Sequence, residues 1–397
     1  MKRPLTLVAI SGLLMLLSTG IHAQKNPYYF STQIDSLLLA DTTPYNFQTI
    51  SWFYAFAGDY QMALQMKDRQ YPNARPSAPD AEQEALMKRY KPVPAKDVIL
   101  EQAAKTSIVI LNEAHFSGMH RLYLSTLLKD LHQLGYTDLG MEALAHNDTL
   151  LNQRKYPVLS TGYYTQDPCF GNLIRDAKET GFTLFPYEQD FDDSLQNSMG
   201  RELAQAMNIK KIIDRNPGAK MIIYCGYDHV YEDSLHNWMG LPMAGQLKRL
   251  TGINPLTIDQ TELSEYGIIG NRYRKLIHED YDAVFVDSTQ HYFNAANPPK
   301  SADLSIYHPD TRYIMNRPGW LVRPETELKD LHKKIKVGYP CLVKIYMESD
   351  DFHHAVPIDV IEITSPDEPK TSLIYKHKKQ IAVVISKQGQ TQTFAVK

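Results

Sequence analysis

Four side chains at the ends of apolar runs could carry chemistry. The segment 107–120, SIVILNEAHFSGMH, passes from an apolar run directly into Glu113 and His115, and later apolar runs lead to Glu142 and His229. In an open α/β sheet, ligands bind at the edge formed by the carboxyl ends of the strands. We therefore expect these four side chains to meet in one acidic, histidine-containing cleft.

Two kinds of chemistry fit this set of residues. A carboxylate that binds an imidazole fixes its tautomer and raises its basicity, which suits the imidazole to act as a general base on water. A second carboxylate can polarise the water, or donate a proton if its pKa is raised. The same nitrogen and oxygen atoms could instead ligate a divalent metal. The residue types do not choose between these, so all four are candidate catalytic residues and candidate metal ligands: Glu113, His115, Glu142 and His229.

Acidic residues after strands also have a structural explanation, because the helix that follows favours an acceptor at its N-cap. Asp259 and Asp287 fit that explanation or an outer, supporting role. Capping does not account for a Glu-x-His pair together with a second glutamate at the next strand end. We expect the following residues to support the site or bind substrate: His120, Arg121, Glu188, Arg201, Asp228 and Asp287.

The segments that must position these residues alternate in character between about 98 and 322. Short apolar runs are separated by amphipathic stretches such as 120–135, where leucines recur at helical spacing. This alternation predicts an α/β fold with a mostly parallel sheet flanked by helices, and the apolar runs indicate strands covered on both faces. The predicted strands are 107–111, 136–142, 182–188, 220–226, 254–259 and 281–287.

The regions on either side have different patterns. Residues 24–97 are predicted to be helical, and 52–69 indicates two helices joined at Gly58-Asp59, similar to one tetratricopeptide hairpin. A single hairpin cannot bury its own apolar face, so it is expected to pack on the next domain. Residues 323–397 are predicted to form a small β-rich domain after a short helix over 325–335, which leaves 98–322 as the α/β domain.

The first 23 residues have the pattern of a signal peptide, with a basic start, an apolar stretch and a cleavage point after Ala23. This predicts a periplasmic or secreted protein, and no later stretch is long and apolar enough to span a membrane. The net charge of -3 gives no electrostatic case for binding nucleic acid. Three widely spaced cysteines without a CxxC motif allow at most one disulfide within the chain.

The motifs of several enzyme classes are missing. The sequence has no G-x-S-x-G, no P-loop and no H-E-x-x-H, which disfavours a serine nucleophile and nucleotide phosphate binding.

Four motifs, in order, resemble the EreA/ChaN-like superfamily, which contains erythromycin esterases, ChaN-type haem-uptake proteins and TIKI/TraB proteins. They are LNEAH, LGMEAL, the helix GRELAQAMNIKKII with Arg201 and Asn208, and YCGYDHV with Gly226 and His229, within residues 105–290. The superfamily has a glycine where this chain has Asn112, and that side chain is expected to narrow or polarise the pocket.

The branches of this superfamily imply different activities. Resemblance to the esterases implies hydrolysis without metal, with His115 or His229 activating water while Glu113 and Glu142 orient it. Resemblance to the TIKI-like branch implies a metal-dependent peptidase that uses the same residues as ligands. Resemblance to the haem-uptake branch implies binding without chemistry, with a His or Tyr on the iron. Our leading hypothesis is an exported hydrolase acting on an ester or amide of a small molecule or peptide. The main alternative is a non-catalytic haem- or ligand-binding protein, and a third is an inactive scaffold that binds through its helical hairpin and β domain.

Overall fold

A parallel sheet flanked by helices forms the centre of the molecule, as the sequence predicted. The computed structural model describes residues 26–71, 73, 78–189, 198–235, 240–265, 271–296 and 300–396, so the predicted signal peptide lies outside the described residues. The α-helices are α1 Ser31–Ala40, α2 Pro44–Phe56, α3 Tyr60–Arg69, α4 Ala81–Met87, α5 Ala95–Ala103, α6 Gly118–Gln133, α7 Leu151–Arg154, α8 Pro168–Thr180, α9 Ser198–Arg215 and α10 Met243–Thr251.

The strands form one parallel sheet and several antiparallel ones. They are β1 Lys91–Pro94, β2 Ile108–Glu113, β3 Tyr136–Met141, β4 Thr183–Pro186, β5 Lys220–Gly226, β6 Leu256–Asp259, β7 Ala283–Val286, β8 Leu304–Ser305, β9 Tyr313–Ile314, β10 Arg317–Pro318, β11 Thr326–Lys329, β12 Cys341–Met347, β13 Asp359–Ile363, β14 Ser372–Tyr375, β15 Gln380–Ser386 and β16 Thr391–Val396.

The parallel sheet has the strand order β4-β3-β5-β2-β6-β8 within the described residues. All six residues of β2 are buried, which agrees with its place between two neighbours under helices on both faces. The chain leaves β2 for β3 and β4, then returns to insert β5 between β3 and β2. This reversal brings the ends of β3, β5 and β2 side by side, with Glu113 in register with Gly226. A crevice at such a switch point is where α/β sheets bind ligands.

One predicted strand belongs elsewhere. The run at 281–287 does not join the parallel sheet, because β7 pairs antiparallel with β1. The place beside β6 is taken instead by the two-residue strand β8. An apolar run indicates a buried strand but does not specify its partner, and here the partner is a proline-containing segment typical of a sheet edge.

The N-terminal hairpin forms as predicted, with α2 and α3 joined at Gly58-Asp59. Asp59 begins α3 by accepting a hydrogen bond from the backbone N–H of Met62 at 3.0 Å. The hairpin does not stand alone. Its buried residues Ile50 and Ala63 share a core with Phe116 at the end of β2 and with Val360 of β13.

The C-terminal region is β-rich, as predicted, with a four-stranded antiparallel sheet in the order β13-β12-β15-β16. The predicted short helix over 325–335 was wrong. Residues Thr326–Lys329 form β11, which pairs antiparallel with β14, and only His332–Lys334 make a 3₁₀ turn. Pairing with a strand distant in sequence overrides the local helical pattern, since strand formation depends on tertiary context.

The three cysteines, Cys169, Cys225 and Cys341, are buried and free, so none is in a disulfide. Among the described residues, no helix combines the length and the apolar character needed to cross a membrane.

Gly58 tests whether the hairpin and the C-terminal sheet fold together. Its φ is +72°, and a Cβ there would lie 2.0 Å from the carbonyl oxygen of Val360. We expect Gly58→Ala to lower the free energy of unfolding by roughly 2 kcal/mol or more, through backbone strain plus a clash with main chain. Urea denaturation measures this.

The matched control is Gly389→Ala, which has a φ of +86° but no atom within 4 Å of the added Cβ. It should lower the free energy of unfolding by only about 1 kcal/mol, because backbone strain is present without a clash. Equal decreases in the free energy of unfolding of the two variants would show that the close approach of Gly58 to Val360 does not contribute to stability.

Candidate functional site

A carboxylate, an imidazole and a guanidinium meet at the end of β2. Glu113 Oε1 lies 3.1 Å from His115 Nδ1, and Arg121 binds both carboxylate oxygens, with Nε 2.6 Å from Oε2 and Nη2 2.9 Å from Oε1. Arg121 also donates to the carbonyl oxygen of His115 at 2.7 Å. Burial alone would raise the pKa of Glu113, but Arg121 and His115 outweigh it and lower the pKa below its usual range. Glu113 is therefore an anion that accepts from Nδ1 and leaves Nε2 of His115 as the basic nitrogen.

Arg121 has a second carboxylate partner on α8. Its Nη1 lies 3.3 Å from Asp167 Oδ1, and neither side chain is exposed. Asp167 also begins α8, because its Oδ1 accepts from the backbone N–H groups of Cys169 at 2.7 Å and Phe170 at 3.1 Å. Burial raises the pKa of Asp167 to about 6, against the opposing effect of Arg121. The guanidinium thus ties β2, α6 and α8 together behind His115.

A second group of charges lies at the end of β3. Glu142 Oε2 accepts from the backbone N–H of Gly226 at 2.6 Å, and Oε1 accepts from Arg201 Nη2 at 2.6 Å. Arg201 also pairs with Glu188, whose Oε1 lies 3.0 Å from Nε. Burial would raise the pKa of Glu142, but His229 and then Arg201 lower it well below its usual range. Glu142 is therefore ionised, and Arg201 joins the ends of β3 and β4.

His229 lies beside this group, between two carboxylates. Its Nδ1 is 2.7 Å from Glu202 Oε2, and its Nε2 is 3.5 Å from Glu142 Oε1 and 2.9 Å from Arg201 Nη1. Burial would lower the pKa of His229, but Glu142 and Glu202 outweigh it and raise the pKa to about 10. Because a guanidinium N–H can only donate, protonation of Nε2 replaces the hydrogen bond from Arg201 with an interaction with Glu142 Oε1.

Gly226 is the point where the two groups meet. A Cβ on residue 226 would stand 2.6 Å from Nε2 of His115 and 3.3 Å from Oε2 of Glu142. The missing side chain is what lets an imidazole and a carboxylate from different strands approach one another. The φ of Gly226 is -90°, so the requirement comes from space and not from backbone conformation.

Aromatic rings hold the imidazole of His115. Tyr164 stacks on it with ring centroids 3.9 Å apart and an angle of 12° between the planes. Tyr227 meets it edge-on at 5.1 Å, and Trp52 of α2 lies at 6.4 Å. These rings fix the imidazole plane and give one wall of the site an apolar, aromatic character.

Asn112 does not narrow the pocket, contrary to the expectation from sequence. Its amide is fully buried and points to β6, donating to Asp259 Oδ1 at 2.8 Å and accepting from the backbone N–H of Gln260 at 2.6 Å. The same amide donates to the carbonyl oxygen of Tyr227 at 2.9 Å. Asp259 accordingly has the structural role that capping predicted, since it also accepts from the backbone N–H of Thr261 at 2.9 Å.

The structure brings together Glu113, His115, Arg121, Glu142, Glu188, Arg201 and His229 from the predicted set. His120 faces the interior, where Nδ1 accepts from the backbone N–H of Ala114 at 3.1 Å and Nε2 lies 2.7 Å from Ser264 Oγ. Burial lowers its pKa well below the usual range, so it is a neutral structural residue.

Two predicted supporting residues have other contacts. Asp228 pairs with Lys300 at 2.8 Å. Asp287 caps its own turn by accepting from the backbone N–H groups of Thr289 at 2.8 Å and His291 at 3.0 Å. Asp287 was expected at the sheet edge only because β7 was assigned to the parallel sheet, and the antiparallel pairing with β1 removes it from there.

Sequence reasoning missed several residues of the site. The Asp-Pro pair that starts α8 is a recognisable cap signal, but nothing local shows that Asp167 also binds Arg121. Glu202 follows Arg201 in the predicted helix and gives no separate signal. The aromatic residues come from segments far away in sequence. The missed residues are Trp52, Tyr164, Asp167, Glu202, Gln205 and Tyr227.

The donor set does not fit a divalent metal. Glu113 and Glu142, the carboxylates that would ligate it, are each bound to a guanidinium that a cation would have to displace. In the part of the chain that the structure describes, no three His, Cys, Asp or Glu side chains are grouped to hold a metal ion. Haem fits no better. A porphyrin needs open space around an axial nitrogen, but the His115 side chain is only 11% exposed and stacks on Tyr164, and both nitrogens of His229 face charged side chains.

No family model matches the chain, and no curated protein matches it. Among solved structures, the type III effector HopBA1 is 14% identical with a TM-score of 0.32, over 44% of this chain and 88% of that one. RRSP, a MARTX toxin effector domain from Vibrio vulnificus CMCP6, is 14% identical with a TM-score of 0.30, over 68% of this chain and 51% of that one. A structure described as bacterial protein toxins is 12% identical with a TM-score of 0.29, over 57% of this chain and 48% of that one. Similarities at this level carry no argument about function.

Gly226→Ala should disrupt the site selectively. Its backbone conformation suits alanine, but the Cβ would lie 2.3 Å from His115 Cε1 and force the imidazole off Tyr164. We expect a loss of about 1 to 3 kcal/mol in the free energy of unfolding and a changed NMR signal of His115. Gly218→Ala, with nothing within 4 Å, should change neither. An unmoved His115 signal in Gly226→Ala would contradict the packing described here.

His229 should make stability depend on pH. The pKa of His229 is raised from 6.5 to about 10 in the folded protein. Its contribution to the free energy of unfolding is therefore fully present below pH 6.5 and is lost as the pH rises toward 10. The difference in unfolding free energy between wild type and His229→Gln should therefore shrink between pH 6 and pH 10, by on the order of a few kcal/mol. Urea denaturation at several pH values measures it. A difference that stays constant would show that His229 is not protonated in the folded state.

Proposed function

We propose that this chain is an exported hydrolase in which His115 activates a water molecule for attack on an ester or amide. The observation that carries the proposal is the convergence at Gly226 of a carboxylate-oriented imidazole and an ionised glutamate from the neighbouring strand. The signal-peptide pattern of residues 1–23 supports export, and the resemblance of four motifs to those of the EreA/ChaN-like superfamily supports hydrolysis.

His115 acts as the base in this mechanism. Glu113 holds Nδ1–H, so Nε2 has a free electron pair and can take the proton of a water bound between it and Glu142. Glu113 stabilises the imidazolium that forms, and Arg121 keeps Glu113 from turning away. The hydroxide equivalent then attacks the carbonyl carbon.

The group around Glu142 stabilises the charge that develops. Arg201 is 31% exposed at its side chain and can reach a bound ligand, whereas Arg121 is fully buried. With its pKa raised to about 10, His229 is an imidazolium at neutral pH and can donate a proton to the leaving group. His115 as the base and His229 as the acid lie on two sides of Gly226 in different electrostatic environments. This separation of the two roles supports the proposal of hydrolysis.

A panel of activated esters and short peptides, assayed with wild type and variants, tests the proposal. We expect His115→Ala and Glu142→Gln to lower kcat/KM by at least about 100-fold, the usual contribution of a general base or of its water-positioning partner. Chelator-treated protein should retain its activity, because the donor set does not fit a metal.

Matched controls are His353→Ala and Glu348→Gln, which change the same residue types at exposed positions of the C-terminal region. Activity that is equal in wild type, His115→Ala and Glu142→Gln would refute the proposed site. A haemin titration separates the alternative function, since a shift of the Soret band that depends on His115 would favour haem binding over hydrolysis.

A further inference from the structure

A buried lysine lies beside the site and binds an amide oxygen and two aromatic rings. Lys67 of α3 is 8% exposed, and its Nζ donates to Gln70 Oε1 at 2.7 Å. Nζ lies 5.3 Å from the ring centroid of Tyr71 and 5.7 Å from that of Tyr227. Within the described residues, no carboxylate oxygen is paired with Lys67 at 4.0 Å or less. Its polar and ring contacts with the described part of the chain are thus one amide oxygen and two aromatic faces.

Such a cation is costly to bury. Removal from water disfavours the charged form, and burial lowers the pKa of Lys67 to about 8. Cation–π contacts with the two tyrosine faces offset part of the desolvation cost of the ammonium. An anion placed against Nζ would offset more of this desolvation cost, because a buried charge is stabilised chiefly by a partner of opposite sign.

Tyr227 links this lysine to the catalytic imidazole. One ring meets His115 edge-on at 5.1 Å and lies under Lys67 Nζ at 5.7 Å. The φ of Tyr227 is +36°, a conformation that non-glycine residues rarely adopt and that concentrates at functional sites. Asn112 holds it there through the hydrogen bond to its carbonyl oxygen. The ring of Tyr227 therefore contacts both the ammonium of Lys67 and the imidazole of His115.

We propose that Lys67 binds a carboxylate group of the substrate whose scissile bond lies at His115. The inference rests on the proposed function and narrows its substrate class to esters or amides that carry a carboxylate near the scissile bond. The ammonium of Lys67 is a single positive charge, and it matches a singly charged carboxylate better than a phosphate dianion. The aromatic wall of Trp52 and Tyr164 favours a flat or apolar group between the two ends.

The chain offers a matched control in Lys344 of β12. This lysine is 7% exposed, its Nζ lies 5.4 Å from the ring centroid of Tyr28, and burial lowers its pKa to about 8 as well. It belongs to the C-terminal sheet, and its ring contact is with Tyr28 and not with Tyr227. Loss of either lysine should affect folding similarly, but only Lys67 should affect the ligand.

Binding is tested first, because it does not depend on turnover. NMR titration with 4-methylbenzoate and with the neutral 4-methylbenzamide compares ligands that differ only in charge. We expect wild type and Lys344→Met to bind the benzoate at least tenfold more tightly than Lys67→Met does. Affinity for the amide should be the same in all three proteins. Equal affinity of wild type and Lys67→Met for the benzoate, or no binding of the benzoate to wild type, would overturn the proposal.

Hydrolysis is tested with the matching esters, 4-acetoxybenzoate and 4-acetoxybenzamide. Lys67→Met should lower kcat/KM at least tenfold for the benzoate only, and Lys344→Met should leave both unchanged. If wild type hydrolyses neither ester but binds 4-methylbenzoate through Lys67, the hydrolase proposal fails while the anion site stands. If both esters are hydrolysed and Lys67→Met lowers kcat/KM equally for the two, Lys67 supports the fold and the anion site is refuted.

Discussion

The pairing of Arg121 with two buried carboxylates is the interaction on which the rest of the site depends. Arg121 is fully buried, so its charge can be kept inside only while Glu113 and Asp167 remain against it. Those carboxylates come from the end of β2 and the start of α8, and the arginine itself comes from α6. The orientation of His115 is therefore fixed from behind by three elements of the core, before any ligand arrives.

Arg201 repeats this arrangement on the other side of Gly226 with one difference. Its side chain is 31% exposed, so water and ions reach it, and its pairs with Glu142 and Glu188 are weaker and more sensitive to salt than those of Arg121. A guanidinium in that position can exchange a protein carboxylate for a charge that develops on a bound ligand. Arg121 thus fixes the orientation of His115 from inside the core, whereas Arg201 is open to solvent.

Much of this could be predicted from the sequence because the signals were local. Apolar runs and helical spacing gave β2, β5 and α6, and the strand-end rule placed Glu113, Glu142 and His229 at one edge. What failed depended on distant partners. Nothing near Asp287 shows that its strand pairs with β1, nothing near 325–335 shows that β11 pairs with β14, and nothing near Asp167 shows that Arg121 reaches it.

Asn112 connects the end of β2 to the loops that follow β5 and β6. A glycine there would leave the backbone N–H of Gln260 and the carbonyl of Tyr227 without the amide that now binds both. Buried backbone groups without partners cost free energy, so the loop after β5 would be free to adopt another conformation. Asn112 therefore binds the carbonyl oxygen of the residue that has a φ of +36°, and the ring of that residue, Tyr227, contacts both His115 and Lys67.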